Sequence, residues 1–427
     1  MKQIYYGWWL VIGLAITETV SYGVLFYSTT VFITPMMAEL GWTRAELTGA
    51  VSLSLVVAAL VGGLTGRWLD QHGPRGLMTV GSLLTVGLVL AWSQVQDVRA
   101  YYVIWFGIGF AKAMVLYDPA FWTVANWFIR YRRRALTLLT FIAGFSFLIF
   151  APLANALIAA QGWRPALVTL AILLAVITVP IHVLMLRRRP SDVGLSPDGE
   201  ANPVYPSGGT PSQGLFFKEA IRRPTFWWLT AAFALNGSAI SVIVLYLVAY
   251  LRETGYDPAF AAWAAGLIGL ASLPGRLIFT PAGARWSPGG IAALIFASQA
   301  IGLILLIYAG SEAGVLLFVV VFSLGYGALT PARAALVAEY FGHRAYGSVN
   351  GLMALVVTLF GALALVLSGA FYDVVGSFIP VLWVLVVMTA LAVVAMMVVV
   401  MYSGQPSASS AQIPVGDPKA ASLPTRH

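Results

Sequence analysis

The ten residues GRWLDQHGPR, Gly66–Arg75, form a short charged interruption between two long apolar stretches. One stretch, residues 45–69, runs into its start, and the other, residues 75–95, follows it. Each holds the roughly 20 apolar residues that a helix needs to cross a bilayer. The interruption therefore predicts a tight connection at a membrane surface, with one spanning helix on either side.

The composition extends this prediction to the whole chain. Of the 427 residues, 60% are hydrophobic and 9% are charged, and the mean hydropathy is +0.87. A chain with so little polar surface cannot form a water-soluble globule of this size. We therefore predict an all-α polytopic membrane protein. The first apolar stretch, Tyr5–Ile33, is too long for the core of a cleaved signal peptide and is predicted to remain as a spanning helix.

Apolar windows bounded by charges or by Gly and Pro predict twelve transmembrane helices. Their approximate ranges are 7–33, 45–69, 75–95, 101–128, 135–160, 164–186, 225–251, 259–284, 289–310, 314–340, 346–372 and 378–402. The polar, Pro-rich and Gly-rich sequence between the sixth and seventh windows predicts a flexible linker. The predicted organisation is an N-terminal six-helix bundle (1–186), a cytoplasmic linker (187–224), a C-terminal six-helix bundle (225–402) and a disordered cytoplasmic tail (403–427).

The distribution of lysine and arginine predicts the orientation. With the N-terminus in the cytoplasm, the outside loops hold Arg44, Arg99, Arg164 and Arg252. The inside loops then hold Arg67, Arg75, Arg130, Arg132, Arg133, Arg134, Arg187, Arg188, Arg189, Lys218, Arg222, Arg223, Arg285 and Arg344. This asymmetry predicts a multi-pass protein of the plasma or inner membrane with both termini cytoplasmic. Topology thus accounts for the net charge of +8, and no nucleic-acid partner is predicted.

The reactive residue types argue against an enzyme. The chain has no cysteine, which excludes disulfides, thiolate metal sites and thiol catalysis. The four histidines lie at predicted helix ends or in the tail, so no nucleophile–base or metal constellation is apparent. They are His72, His182, His343 and His427. We therefore predict no catalytic residues, no metal site and no cofactor, and the sequence indicates no particular partner protein besides the lipid bilayer.

The two halves resemble each other at a nearly constant spacing. The segment Glu39–Ala45 aligns with Glu253–Ala259, Arg67-Trp68 aligns with Arg285-Trp286, and Pro119-Ala120 aligns with Pro331-Ala332. Because each match falls at the same place in the corresponding helix, duplication explains them better than chance. Two pseudo-symmetric bundles that rock against each other form a transporter, with its site near mid-membrane between the halves.

A single arginine, Arg276, lies inside the eighth window, in the sequence ASLPGRLIF of Ala271–Phe279. A guanidinium group keeps its charge at that depth and is costly there, so it is expected to serve a fixed task such as holding an anion. Ser272 lies four residues earlier on the same helical face and is a candidate second contact. These residues predict a carrier for a small organic anion.

The charged stretch Gly66–Arg75 resembles the loop motif of the major facilitator superfamily, in which an aspartate and basic residues latch helix ends on the cytoplasmic side. The resemblance implies the major facilitator fold. It also implies that Arg67, Asp70 and Arg75 have gating and structural roles and do not contact the substrate. The alternative is an ordinary positively charged inside loop.

Further stretches resemble the monocarboxylate-porter family and its bacterial relatives. They are Tyr6-Gly-Trp-Trp9, Leu40-Gly-Trp-Thr-Arg-Ala45, Tyr117-Asp-Pro119, Trp127-Phe128, Arg132-Arg-Arg-Ala-Leu136, Ala143-Gly144 and the arginine of the eighth helix. The resemblance implies a lactate-like or pyruvate-like substrate and proton symport. Animal members place an aspartate where this chain has Ser272 and a lysine where it has Tyr27, so the acid that carries a proton must lie elsewhere.

Other polar residues inside the predicted helices complete the candidate set. Glu18, Lys112 and Asp118 are candidates for proton coupling, because a buried carboxyl or amine is costly unless it is paired or titrates. A fixed Glu18–Lys112 ion pair is the alternative. The candidates for substrate contact are Arg276, Tyr117, Tyr326, Asn236, Tyr27 and Ser272, since phenol and amide groups can donate to a carboxylate.

The predicted function is therefore secondary active transport of small monocarboxylates by alternating access, with a proton as the expected co-substrate. Two alternatives remain open. One is an organic anion exchanger of the oxalate/formate type, which would show counterflow without dependence on protons. The other is a membrane sensor that has lost transport, which would require a folded cytoplasmic domain.

Overall fold

A computed structural model describes residues 5–199, 214–282 and 287–403, and within these ranges the chain is helical with no β-strand. Twelve helices are long and apolar enough to cross a membrane, which confirms the predicted fold class. Their bounds are α1 Tyr6–Leu40, α2 Glu46–His72, α3 Pro74–Ser93, α4 Val98–Trp127, α5 Arg132–Gln161, α6 Trp163–Leu184, α7 Pro224–Glu253, α8 Ala259–Leu277, α9 Pro288–Ile307, α10 Glu312–Phe341, α11 Tyr346–Tyr372 and α12 Ile379–Tyr402. The chain is a multi-pass membrane protein.

The charged stretch of residues 66–75 is mostly helical. α2 continues to His72, the chain reverses at Gly73, and α3 begins at Pro74. Gly73 has φ 81°, a conformation that glycine adopts without the steric cost of a side chain. Proline is favoured at the first position of a helix because its ring fixes φ and its missing N–H is not needed there. The interruption between the two spans is therefore a single residue.

Among the described residues, the hydrophobic cluster that the two bundles α1–α6 and α7–α12 share lies at one end of the molecule. Because the number of spans is even, both termini lie at the same end, here called the closed end. At the opposite end, here called the distal end, each bundle has its own hydrophobic cluster, and among the described residues neither cluster includes a member of the other bundle. At the closed end one cluster contains residues of both bundles, among them Trp127, Phe128, Phe226 and Phe341.

Asp70 ties the two bundles together at the closed end. Its carboxylate accepts hydrogen bonds from the backbone N–H groups of Gly347 and Ser348 and from the Ser348 hydroxyl, at 3.0, 3.1 and 2.8 Å. These N–H groups belong to the first turn of α11, where a negative charge is favourable. α2 and α11 cross so closely that a methyl group on Gly66 would lie 2.2 Å from the Gly347 carbonyl oxygen. The contact lies where the resemblance places a latch, and the gating role of Asp70 stays a prediction.

The two basic residues of the same motif lie apart from this latch. Arg67 is exposed, with its guanidinium carbon 5.8 Å from the centre of the Phe217 ring, and Arg75 is exposed at the start of α3. A different basic residue, Arg188, donates to the Asp70 carbonyl oxygen at 2.9 Å. Gating roles for Arg67 and Arg75 stay predictions.

The described parts of the linker are ordered, contrary to the expected flexibility. Residues 187–199 form short turns against the N-terminal bundle, and the Asp198 carboxylate accepts hydrogen bonds from the backbone N–H groups of Ile129, Arg130 and Tyr131. Further on, Phe217–Arg222 is a short helix, here called the linker helix. Local capping and burial hold these segments, which composition alone does not reveal. The predicted tail lies almost entirely outside the described residues.

A second contact across the closed end involves a histidine. An Arg132 guanidinium nitrogen lies 2.7 Å from His343 Nε2, in the connection between α10 and α11. Burial, and then the charge of Arg132, hold the pKa of His343 well below its ordinary range. His343 is therefore neutral in the closed arrangement, and it accepts the hydrogen bond.

Asp70→Asn is expected to favour opening of the closed end. Loss of the charge-assisted bonds costs about 2 kcal/mol, which is about 30-fold in the ratio of closed to open molecules. Because the chain lacks cysteine, spin labels on Arg75→Cys and Tyr402→Cys report the distance across this end without background. Asp97→Asn, which neutralises a helix-capping carboxylate within one bundle at the distal end, is the control. An unchanged distance distribution in Asp70→Asn would contradict the latch.

Acid is expected to open the same end through His343. Once the bundles part, His343 regains an ordinary pKa of about 6.5, so the open state binds a proton that the closed state excludes. The closed state therefore keeps its full stability above that pH and loses stability as the pH falls below it. The same labelled pair measures this, and His343→Gln should reduce the acid dependence while His72→Gln leaves it intact. Equal acid dependence in all three proteins would refute the assignment.

Candidate substrate-binding site

Three helices of the N-terminal bundle lose regular geometry near one another. α1 contains a π-helical turn at Gly23–Tyr27, α4 breaks at Leu116, and α5 breaks at Gly144. The Tyr22 and Tyr117 rings, from α1 and α4, lie 4.6 Å apart. Irregular backbone inside a membrane protein is tolerated where it is buried in protein or lines a cavity, and π-turns occur frequently at functional sites. This region is therefore the first place to look for a binding site.

Proline accounts for the break in α4. Pro119 is the third residue of the helical segment that begins at Tyr117, so its missing N–H removes no helical hydrogen bond. In an unbroken helix its ring would clash with the carbonyl group of Val115. The chain avoids that clash because Leu116 adopts an extended conformation, with φ −86° and ψ −164°. The break leaves Tyr117 and Asp118 at the start of a new helical segment.

Arg276 reaches from one bundle to the other at this level. Its side chain extends from α8, and Nη1 donates a hydrogen bond to the Thr140 carbonyl oxygen of α5. Gly144 makes room for it, because a methyl group at that position would lie 2.7 Å from Nη1. The one arginine of α8 thus crosses the seam between the bundles, at the break in α5.

Three tyrosines lie near this guanidinium. Tyr27, Tyr117 and Tyr326 all lie within electrostatic range of Arg276, and the Tyr117 side chain is hydrogen-bonded to it. Tyr117 also stacks on Phe121, with ring centres 4.9 Å apart. Arg276 and these three tyrosines are here called the Arg276 group. The sequence predicted all four residues as substrate contacts, and the structure brings them together from α1, α4, α8 and α10. A guanidinium beside phenol groups can bind a carboxylate and cover a short alkyl chain.

The space beside Arg276 narrows toward the closed end. A cavity of about 50 Å³ lies there, lined by residues of α5, α8, α9 and α10 that include Thr137, Arg276 and Pro331. This volume is much smaller than the pockets of about 300–1,000 Å³ that hold drug-sized ligands.

The comparisons with known proteins agree with this architecture. The sequence model of the Major Facilitator Superfamily matches residues 14–324 and, in an overlapping match, 252–426. The chain belongs to the major facilitator superfamily. It is similar to monocarboxylate transporter 13 of Bos taurus, with 27% identity over 377 residues that cover 87% of this chain and 84% of the relative. It is also similar to the oxalate:formate antiporter of Oxalobacter formigenes, with 26% identity over 249 residues, 58% of this chain and 56% of the relative.

A solved structure shows the same fold as this major facilitator. The E. coli fucose:proton symporter superposes with a TM-score of 0.70 at 14% identity, covering 92% of this chain and 98% of the symporter. The predictions of superfamily, fold class and absence of enzymatic function are confirmed, and the chain is a membrane transporter. Its substrate and coupling ion need a separate argument.

Two predicted contacts of this transporter lie apart from the Arg276 group. The Ser272 hydroxyl donates to the Gly269 carbonyl oxygen within α8, where the helix packs against Gly327 of α10. Asn236 is completely buried in α7, and within the described chain neither its amide nitrogen nor its oxygen has a hydrogen-bond partner. A shared helical face did not specify which neighbour each side chain meets. Roles for Ser272 and Asn236 in binding stay predictions.

The three proton-coupling candidates occupy different surroundings. Glu18 is completely buried, and neither carboxyl oxygen has a hydrogen-bond partner among the residues that the structure describes. Lys112 instead donates to the Ser54 hydroxyl at 2.9 Å and lies 5.1 Å from the centre of the Trp105 ring. The fixed Glu18–Lys112 pair is therefore not formed in this conformation.

Asp118 joins the two bundles. Its carboxylate accepts a hydrogen bond from the Asn350 amide of α11 at 2.8 Å and lies 3.6 Å from an Arg333 guanidinium nitrogen of α10. The residue before it, Tyr117, belongs to the Arg276 group. A candidate residue of the binding site and a contact between the bundles are therefore adjacent in sequence at the break in α4.

Sequence reasoning missed two parts of the site. Tyr22 packs against Tyr117, and the repeated tyrosines of α1 were the available signal. The Thr140 carbonyl oxygen is one partner of Arg276, and a backbone acceptor leaves no signal in the sequence. The nearest indication was the motif Ala143-Gly144, whose glycine follows Thr140 by four residues.

Proposed function

We propose that this major facilitator is a secondary active transporter of small monocarboxylates such as lactate or pyruvate. The observation that carries the proposal is the Arg276 guanidinium, held across the seam of the bundles among Tyr27, Tyr117 and Tyr326. A single fixed cation matches a single carboxylate, and hydrogen bonds between two charged groups are roughly twice as strong as neutral ones. The similarity to monocarboxylate transporter 13 supports the same substrate class.

The proposed cycle begins with Arg276 bonded to the Thr140 carbonyl oxygen. An arriving carboxylate replaces this neutral acceptor with a charged one and cancels the positive charge that opposes closure around a dry site. The phenol groups of Tyr117, Tyr27 and Tyr326 then donate to the carboxylate or cover its alkyl part. In the loaded transporter the two bundles rock against each other, so that the closed end opens and the distal end closes.

We propose that the transporter lies in the plasma or inner membrane with both termini in the cytoplasm, as the lysine and arginine distribution predicts. The closed end, which carries the termini, is then cytoplasmic. The conformation described above is accordingly the one that receives substrate from outside the cell.

Glu18 is the candidate that we propose as proton carrier. A carboxylate buried without a cation or hydrogen-bond donor is costly, so the neutral acid is the form that this environment tolerates. Asp118, which has Arg333 and Asn350 as partners, is better suited to holding the bundles together, and Lys112 is held by Ser54. One carboxylate and one proton would make the cycle electroneutral.

Exchange of anions is the second candidate. The similarity to an oxalate:formate antiporter favours it, and the same Arg276 group would bind both anions in turn. Exchange differs from symport in that labelled substrate is taken up against internal substrate regardless of a pH gradient.

Arg276→Gln is expected to abolish carboxylate transport. Removing one partner of a buried charge pair costs at least about 3 kcal/mol, which is about 100-fold in affinity. Uptake of radiolabelled lactate into proteoliposomes measures the loss, and thermal stabilisation by lactate measures binding independently. Arg252→Gln, which removes an exposed charge at the distal end, is the control. Lactate binding that survives in Arg276→Gln would exclude this site.

Glu18→Gln is expected to uncouple transport from the pH gradient while counterflow of substrate persists, because glutamine keeps the size of the side chain but cannot release a proton. Uptake driven by an inward proton gradient should fall to the level without a gradient. Glu312→Gln, which changes an exposed residue at the start of α10, is the control. If gradient-driven uptake in Glu18→Gln equals that of the parent, Glu18 does not carry the proton. If the parent itself ignores the gradient, exchange is the function.

A further inference from the structure

The linker helix is anchored to both bundles by its aromatic residues. The Arg344 guanidinium carbon lies 3.5 Å from the centre of the Phe216 ring, and that of Arg67 lies 5.8 Å from the centre of the Phe217 ring. Leu215, just before them, donates its N–H to the Phe341 carbonyl oxygen at 3.0 Å. Arg67 belongs to α2 of the first bundle, and Arg344 precedes α11 of the second. The linker helix thus lies beside the seam at the closed end.

Positive charge accumulates around this helix. Five exposed basic residues form what we call the basic patch: Arg67, Lys218, Arg222, Arg223 and Arg344. Two carboxylates lie nearby: Glu219, which caps the linker helix by accepting the Phe216 N–H at 2.8 Å, and Asp70, which is engaged by the N–H groups of Gly347 and Ser348. Five positive charges and two negative charges leave +3, and none of the salt bridges found within the described ranges involves a residue of the patch. Residues 200–213 and 404–427 contain one acidic residue each, Glu200 and Asp417, which together are too few to neutralise the patch.

Exposed aromatic side chains accompany the basic patch. Trp68 and Phe216 are 48% and 51% exposed, and Trp227 and Trp228 at the start of α7 are 53% and 42% exposed. Tryptophan is enriched where hydrocarbon meets the lipid headgroups, because its ring is apolar with one polar edge. Aromatic and basic residues together indicate that this surface lies at headgroup level.

We propose that the basic patch binds the headgroups of anionic phospholipids and that this binding stabilises the closed end. Juxtamembrane clusters of four to eight basic residues attract anionic headgroups, and the position at headgroup level favours a lipid over an acidic protein. Because both bundles contribute to the patch, lipid that contacts both is lost when the bundles part. A ligand that binds one conformation better shifts the population toward it. The inference does not depend on the identity of the transported substrate.

Lipid binding is tested on the full chain in nanodiscs of phosphatidylcholine, with and without phosphatidylglycerol, by native mass spectrometry of retained lipid. Each neutralised charge is expected to weaken phosphatidylglycerol binding about fivefold. The double variant Lys218→Gln/Arg222→Gln should therefore lose about 25-fold. The matched control Arg99→Gln/Arg252→Gln removes two exposed charges at the distal end and should retain phosphatidylglycerol like the parent. Equal losses in both doubles, or no preference of the parent for phosphatidylglycerol, would overturn the proposal.

The conformational part has its own measurement. Spin labels on Arg75→Cys and Tyr402→Cys should show a larger closed fraction in phosphatidylglycerol than in phosphatidylcholine, and the Lys218→Gln/Arg222→Gln background should remove this difference. Retained lipid with no change in the closed fraction would overturn the stabilising role. Soluble glycerol phosphate, added to phosphatidylcholine nanodiscs, separates a lipid site from a phosphate site. If it increases the closed fraction as much as the lipid does, the patch is a site for free phosphate compounds.

Discussion

A permanent positive charge at the seam of two membrane bundles is the constraint on which the rest of this structure depends. An arginine at the centre of a spanning helix costs about 3 kcal/mol on insertion scales, and it cannot reduce that cost by losing its proton. Here the guanidinium of Arg276 is satisfied by a backbone carbonyl oxygen of the opposite bundle, at the break in α5. The same carbonyl oxygen also accepts the Gly144 N–H at 3.0 Å, so the guanidinium shares an acceptor in the last helical turn before the break.

One partner of Arg276 in this conformation is a neutral group, the Thr140 carbonyl oxygen. A carbonyl oxygen supplies a hydrogen bond but leaves the charge uncancelled, whereas an internal carboxylate would have formed a fixed pair that is expensive to break. A neutral acceptor suits a site that binds and releases an anion, because it does not compete for the guanidinium as a carboxylate would.

Much of this fold followed from the sequence, and the failures have physical reasons. The twelve spans were predictable because their length and apolarity are dictated by the bilayer. The grouping of Arg276 with Tyr117, Tyr27 and Tyr326 was also predicted. The breaks in α1 and α5 were not predicted, because no proline forces them. Tertiary contacts, such as that of Gly144 with Arg276, decide where they fall. The pairing of Glu18 with Lys112 was left open because spacing along two helices does not say which neighbours each side chain meets. The ordered stretch of residues 187–199 was missed because Asp198 holds it through backbone N–H groups, which composition does not reveal.

The break in α4 gives a physical route between binding and closure. Tyr117 belongs to the Arg276 group, and the next residue, Asp118, binds Asn350 and Arg333 of the second bundle. Both residues lie in the first turn of the segment that begins at Tyr117, so they move together as part of one rigid element. A ligand that repositions Tyr117 must therefore also alter the geometry of the Asp118 contacts. Because the backbone at Leu116 is extended, this segment can shift without moving the preceding helical segment of α4, Val98–Val115. Because coupling of this kind needs an element with two arrangements, the helical segment Tyr117–Trp127 is the part of the N-terminal bundle through which the anion site can act on the closed end.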